Sequence, residues 1–199
     1  MPQLLDVDGS ARTRPERAAR TRSGRFRAAW RAAHAPVAGV SPATRRMAYA
    51  VQLAVLPSCL WRLPIVFDSE AGPVGRMYPV LLSVLSEAVA FTAFGLIARW
   101  GEVFPRWVPF LAGRRVPTAA AVVPAVTGAV ILTVMWTTAI VTDFLDVTIR
   151  GDAQPADFPG AAGGLESFWY YICYTPLLLW GPLLGVLAVA YAKRRRVTG

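Results

Sequence analysis

Four long apolar runs organise the chain, at about residues 47–67, 78–98, 117–142 and 168–192. Each is close to the ~20 residues that carry a helix across ~30 Å of hydrocarbon. The pattern predicts an all-α fold, a four-helix transmembrane bundle occupying residues 45–199. Residues 1–44 precede it as a basic arm, partly disordered or lying at the bilayer surface. Between the runs the chain turns polar or Gly- and Pro-rich. "DSEAGPVGRM" (68–77) predicts a short turn, and "DVTIRGDAQPADFPGAAGGLES" (146–167) either a solvated loop or a lid over one mouth of the bundle. "RWGEVFPRWVPFLAGRRVP" (99–117) alternates aromatic, Arg and Pro positions, a composition suited to headgroup level.

Composition agrees with this pattern, because 55% of the 199 residues are hydrophobic, more than a soluble domain of this size carries. Prolines inside the runs (Pro57, Pro64, Pro124, Pro176, Pro182) each remove a backbone donor and predict kinks. Gly181 and Gly185 in "WGPLLG" form a small-xxx-small pair at which a second helix can approach closely.

Charge gives the runs a direction. Of the 21 basic residues, ten lie in the arm up to Arg46, four in Arg99–Arg115 and four in Lys193–Arg196. Positively charged flanks stay on the cytoplasmic side, so both termini are expected inside a multi-pass protein of the plasma membrane, with the lipid bilayer as its partner. The net charge of +9 follows from this topology. No nucleic-acid-binding motif accompanies it, and no nucleic acid is expected as partner. "TRRMAYAVQLAVLPSC" has the outline of a signal peptide, but Pro57 is poorly placed before Cys59, and the segment reads as the first span.

Ionisable groups inside the spans are the candidates for chemistry. Glu87 lies nine residues below Tyr78 and Arg62 five below Phe67. At 1.5 Å per residue these depths differ by about 6 Å, within reach of an Arg side chain. An acid and a guanidinium sharing a dry recess are therefore expected. Trp61, Phe91, Trp136, Tyr170 and Tyr174 are the aromatic residues expected to line it. Asp143 and Asp68 are candidate second carboxylates. Asp143 and Asp146 in "DFLD" sit at i and i+3, a spacing open to a divalent cation, although such a pair is more often a solvated helix end. No metal and no cofactor are expected: the single histidine, His34, lies in the arm, and Cys59 and Cys173 read as free packing thiols with no C-x-x-C.

A carboxylic acid in a dry, metal-free pocket with aromatic faces suits one reaction class. Protonating an alkene of an isoprenoid chain creates a carbocation, which Trp and Tyr faces stabilise. In size and in its carboxylate-bearing spans the chain resembles the small integral-membrane terpene cyclases of actinobacterial indole-sesquiterpenoid pathways. In its Arg/Ala-rich composition and in "RWGEVFPRWVPFLAGRRVP" it resembles small actinobacterial integral membrane proteins along nearly its whole length. The first resemblance implies cyclisation of a hydrophobic prenylated substrate; Glu87, Asp143, Asp68 and the residues around them come from the depth argument alone. The rival expectation is a non-enzymatic membrane module or subunit in which Glu87 and Arg62 form a structural ion pair.

Overall fold

The computed structural model describes residues 24, 37, 39–67, 72–103, 113–155 and 158–198. Asp68 and nearly all of the basic arm lie outside them, as do the aromatic residues of the 99–117 connection beyond Trp100. The chain divides into units Met1–Ala35 and Pro36–Gly199, and everything below concerns the second.

The described secondary structure is helical: α1 (Pro42–Arg62), α2 (Gly72–Thr92), α3 (Thr118–Phe144), α4 (Gly164–Tyr174) and α5 (Trp180–Thr198). Three helical stretches are long and apolar enough to cross a membrane, Gly72–Leu96, Thr118–Phe144 and Gly164–Val197. The protein is thus a helical one with the marks of a membrane protein. α1 is comparable in length, but Arg45, Arg46, Gln52 and Arg62 lower its mean hydropathy.

Local chemistry sets the helix ends. Ser41 caps α1 by accepting the Thr44 N–H at 3.1 Å, with Pro42 in the first turn, where its missing N–H costs nothing. Proline also shapes the exits: α1 tightens into a 3-10 turn at Leu63–Phe67 through Pro64, and α4 joins α5 through another at Thr175–Leu179 containing Pro176. α2 begins at Gly72, six residues before Tyr78. Half of the predicted turn is therefore helix, with Pro73 in its first turn.

The helices pack pairwise. α5 lies against both α3 and α1, and α1 lies against α2. Among the described residues α2 and α3 are not packed along each other, so the long helices neighbour one another in the order α2–α1–α5–α3. α5 is the hub, contributing Leu184, Leu187, Ala188 and Tyr191 to a core shared with Val51 and Val55 of α1. Only 6% of the apolar window of α3 is buried in the protein. α3 is apolar all round, so nothing on it requires cover from a second helix when hydrocarbon surrounds it.

Glycine permits the α3–α5 contact. A Cβ on Gly181 would stand 2.6 Å from the Ala129 carbonyl oxygen, whereas one on Gly185 would meet the Ala129 Cβ at 3.6 Å. The sequence-level expectation of a close helix approach at this pair is met, and Gly181 is the tighter of the two positions.

At the other end of α5, Arg194 gathers the chain. Its guanidinium pairs with Glu102 at 2.9 Å, with side-chain exposures of 9% and 17%. It also donates to the Leu96 carbonyl at 3.1 Å and lies over the Tyr191 ring. Tyr191 donates to the Gly101 carbonyl, and Arg195 donates to the Val116 carbonyl at 2.8 Å. The reversal between Ala93 and Gly101 is tight enough that Gly101 rests on the Gly95 backbone with no room for a Cβ.

Two stability predictions follow from this packing. Glu102→Ala removes the carboxylate partner of the half-buried Arg194 guanidinium and should lower stability by about 2 kcal/mol, read as the thermal midpoint in detergent; Glu102→Leu combined with Arg194→Met should recover much of it. Gly181→Ala should lower that midpoint clearly, and Gly185→Ala should leave it nearly unchanged.

Candidate functional site

α1 presents two different faces. Tyr49, Leu53, Leu56 and Leu60 form a stripe at helical spacing and are all exposed. Gln52, Cys59 and Arg62, at i, i+7 and i+10, lie on the side that meets α2 and α4. Beyond its exposed first turn with Arg45 and Arg46, α1 thus keeps Gln52, Cys59 and Arg62 toward other helices and its apolar stripe outward.

Along that inner side the polar groups follow one another, each bonded to a neighbouring helix. The Gln52 amide N–H donates to Glu87 Oε2 on α2. The Cys59 thiol lies between Gln52 and Arg62 along this side of α1. It donates to the Ser83 carbonyl at 3.5 Å. Arg62 Nε donates to the Tyr174 hydroxyl at 3.1 Å, with the guanidinium carbon 5.4 Å from the ring centroid. Tyr174 stacks on Tyr170 at 4.6 Å. The Tyr170 hydroxyl donates to Asp143 Oδ2 and the Gln154 amide to Oδ1, each at 3.1 Å. One polar and aromatic seam therefore runs from α2 through α1 and α4 to the end of α3.

The structure separates residues that the depth argument joined. Glu87 makes no ion pair with Arg62: its partner is Gln52, ten residues and about 15 Å along α1 from Arg62. The reason is the early start of α2. Counted from Gly72, Glu87 is fifteen residues in, about 22 Å from the turn, instead of the nine residues assumed. In this antiparallel pair Cys59 stands opposite Ser83, and Arg62 lies nearer the turn than Glu87 does.

Five of the six predicted lining residues come together elsewhere on the seam. Trp136 lies 6.3 Å from Tyr174 and Trp61 lies 6.5 Å from Tyr170, between ring centroids. With Arg62, Tyr170 and Tyr174 they form an aromatic cluster ending on Asp143. Phe91 is the exception; it stacks on Trp100 at 6.2 Å and contacts Phe94. Asp146 is exposed and holds a positive φ of 53°, while Asp143 turns inward, so the "DFLD" carboxylates are committed to different surroundings. Cys59 and Cys173 are free thiols.

The 145–163 connection contributes two residues that the sequence analysis did not single out, Gln154 on Asp143 and Phe158, whose ring lies 5.2 Å from Tyr170. The connection folds back because Asp146 and Gly151 reverse it, and the Thr148 N–H donates to the Asp152 carbonyl at 2.7 Å. No sequence signal marks Gln154. Gln52 was recognisable as a lone amide in an apolar run, in helical register with Cys59 and Arg62.

Several polar atoms of the seam are enclosed without a partner among the described residues: Arg62 Nη1, the Trp136 indole N–H, Glu87 Oε1 and Gln52 Oε1. Buried polar atoms are normally satisfied, and each exception needs a physical account. The first two are donors at the aromatic cluster, and the last two are acceptors at the Glu87 pair. No protein family, curated protein or solved structure matches this chain.

Proposed function

We propose that all four long helices cross the bilayer, with both termini cytoplasmic, and that the chain is an integral membrane terpene cyclase acting on a prenylated substrate in the lipid phase. The two-faced character of α1 supports its crossing, since Gln52 and Arg62 lie against neighbouring helices and the exposed stripe is apolar. The clustering of basic residues at the arm, the 99–115 connection and the α5 end supports the orientation.

The observation that carries the cyclase reading is the seam, an acid at one end and stacked aromatic faces at the other, joined through residues of α1. In this reading Glu87 protonates an alkene. The faces of Tyr170, Tyr174 and Trp136 attract the cation that develops, and the unpartnered donors of Arg62 and Trp136 bind an oxygen-bearing substrate head. Asp143, held by Tyr170 and Gln154, supplies negative charge near the cation and accepts the proton released when cyclisation ends. The proton added at the start and the one lost at the end balance, so the product is an isomer of the substrate.

One observation favours the second reading, a non-enzymatic membrane module. Glu87, Arg62 and Asp143 each already bond a residue elsewhere in the chain, as interhelical polar contacts in membranes do. Activity separates the two. Membranes coexpressing the chain with a prenyl-donor pathway should yield a cyclised isomer by mass spectrometry, and Glu87→Gln should reduce it by a factor of about 100 or more. Parent-level conversion by Glu87→Gln would remove Glu87 from the reaction, and a module would form no isomer with or without it. For topology, reporters fused after Gly199 and at Arg150 should report opposite sides of the membrane.

A further inference from the structure

Glu87 and Gln52 raise a question that the cyclase reading does not answer: what balances their hydrogen bonds? The Gln52 amide supplies one donor, to Glu87 Oε2. Glu87 Oε1 and Gln52 Oε1 are both buried, and no described residue donates to either. A buried acceptor left unmade costs about 1–3 kcal/mol, and a bare carboxylate within hydrocarbon costs more.

A single proton resolves both deficits. On Glu87 Oε1 it donates to Gln52 Oε1 while the Gln52 N–H donates to the acid's other oxygen, giving a neutral ring of two hydrogen bonds. The surroundings offer no competing charge at close range. On α1, Arg62 is about 15 Å along the axis and engaged by Tyr174. Cys59 is a thiol donor, and Tyr49 packs on Phe94. On α2 itself Arg76 is eleven residues away, about 16 Å. The 3-10 turns at Leu63–Phe67 and Ala93–Leu96 carry no ionisable side chain. Asp143 is the contrasting case: both of its oxygens already accept a donor, so it is satisfied as a carboxylate.

We propose that Glu87 is a proton-binding site within the membrane, holding a proton at neutral pH in a neutral acid–amide pair with Gln52 and open to hydrophobic carbodiimides from the lipid. Val84 and Phe91, three residues before and four after Glu87 on α2, are 62% and 42% exposed, which gives an apolar reagent an approach from the bilayer. In that reaction the acid proton passes to a carbodiimide nitrogen while the carboxyl oxygen adds to the central carbon and one C=N π bond breaks. The acyl group then migrates to nitrogen, leaving a stable N-acylurea from which nothing is lost.

The experiment treats membranes containing the full chain with dicyclohexylcarbodiimide at neutral pH and maps adducts by peptide mass spectrometry. One adduct is expected on Glu87, at least tenfold above any on Asp143, and its peptide should be unlabelled in Glu87→Gln. Infrared spectra of the untreated protein should carry a protonated-acid C=O band that Glu87→Gln removes; this variant keeps the pairing as two amides, so its fold is retained. A Glu87 peptide without adduct, together with no such band, would overturn the proposal. Neither readout needs a substrate, so the result is separable from the fate of the cyclase reading.

Discussion

Arg194 stands where three pieces of chain must stop behaving as separate helices. The last carbonyls of a helix have no partner within it, and the chain leaving α2 reverses within a few residues, so it presents such carbonyls together with Glu102. Arg194 donates to the Leu96 carbonyl and to Glu102, and its own helix buries Tyr191 on Gly101. Arg195 does the same for the start of α3 through Val116 and Thr118. Two of the C-terminal basic residues thus fasten the ends of α2 and α3 to the hub helix.

The hub explains the order of the helices. α5 meets both α1 and α3, and its glycines let α3 come close enough that a side chain at Gly181 would strike the α3 backbone. α1 lies against both α5 and α2, whereas α3 has α5 as its long neighbour among the described residues. In hydrocarbon an apolar helix surface would carry no hydrophobic penalty, so α2 and α3 would not need to cover each other. What must be covered is polar, and the polar residues lie along the seam, between helices that do touch.

Within the seam, hydrogen bonding separates two carboxyl groups that the sequence treats alike. Asp143 receives two donors, one of them from a loop folded back over it. Glu87 receives one and faces a second acceptor. Their different hydrogen-bond complements assign them different chemical parts in any function the seam performs, whether catalysis or the joining of helices.

Much of this was legible beforehand. The apolar runs of α3 and of α4–α5 fall where periodicity and length place them, the Gly181–Gly185 approach follows from small residues in helical register, and Arg62, Trp61, Trp136, Tyr170 and Tyr174 do gather. The partner of Glu87 was not legible, because depth was counted from an assumed helix start. A proline at the head of a helix is as compatible with turn as with helix until the neighbouring chain is placed, and six residues of extra helix moved Glu87 by about 9 Å. The sequence by itself determined which segments are long and apolar enough to leave water and which residues would be costly to bring with them, since both depend only on composition and on the helical repeat. Tertiary structure alone decided which costly residue meets which, because partner choice is a matter of register between helices and of loops that fold back, and neither is written in the periodicity of any one segment.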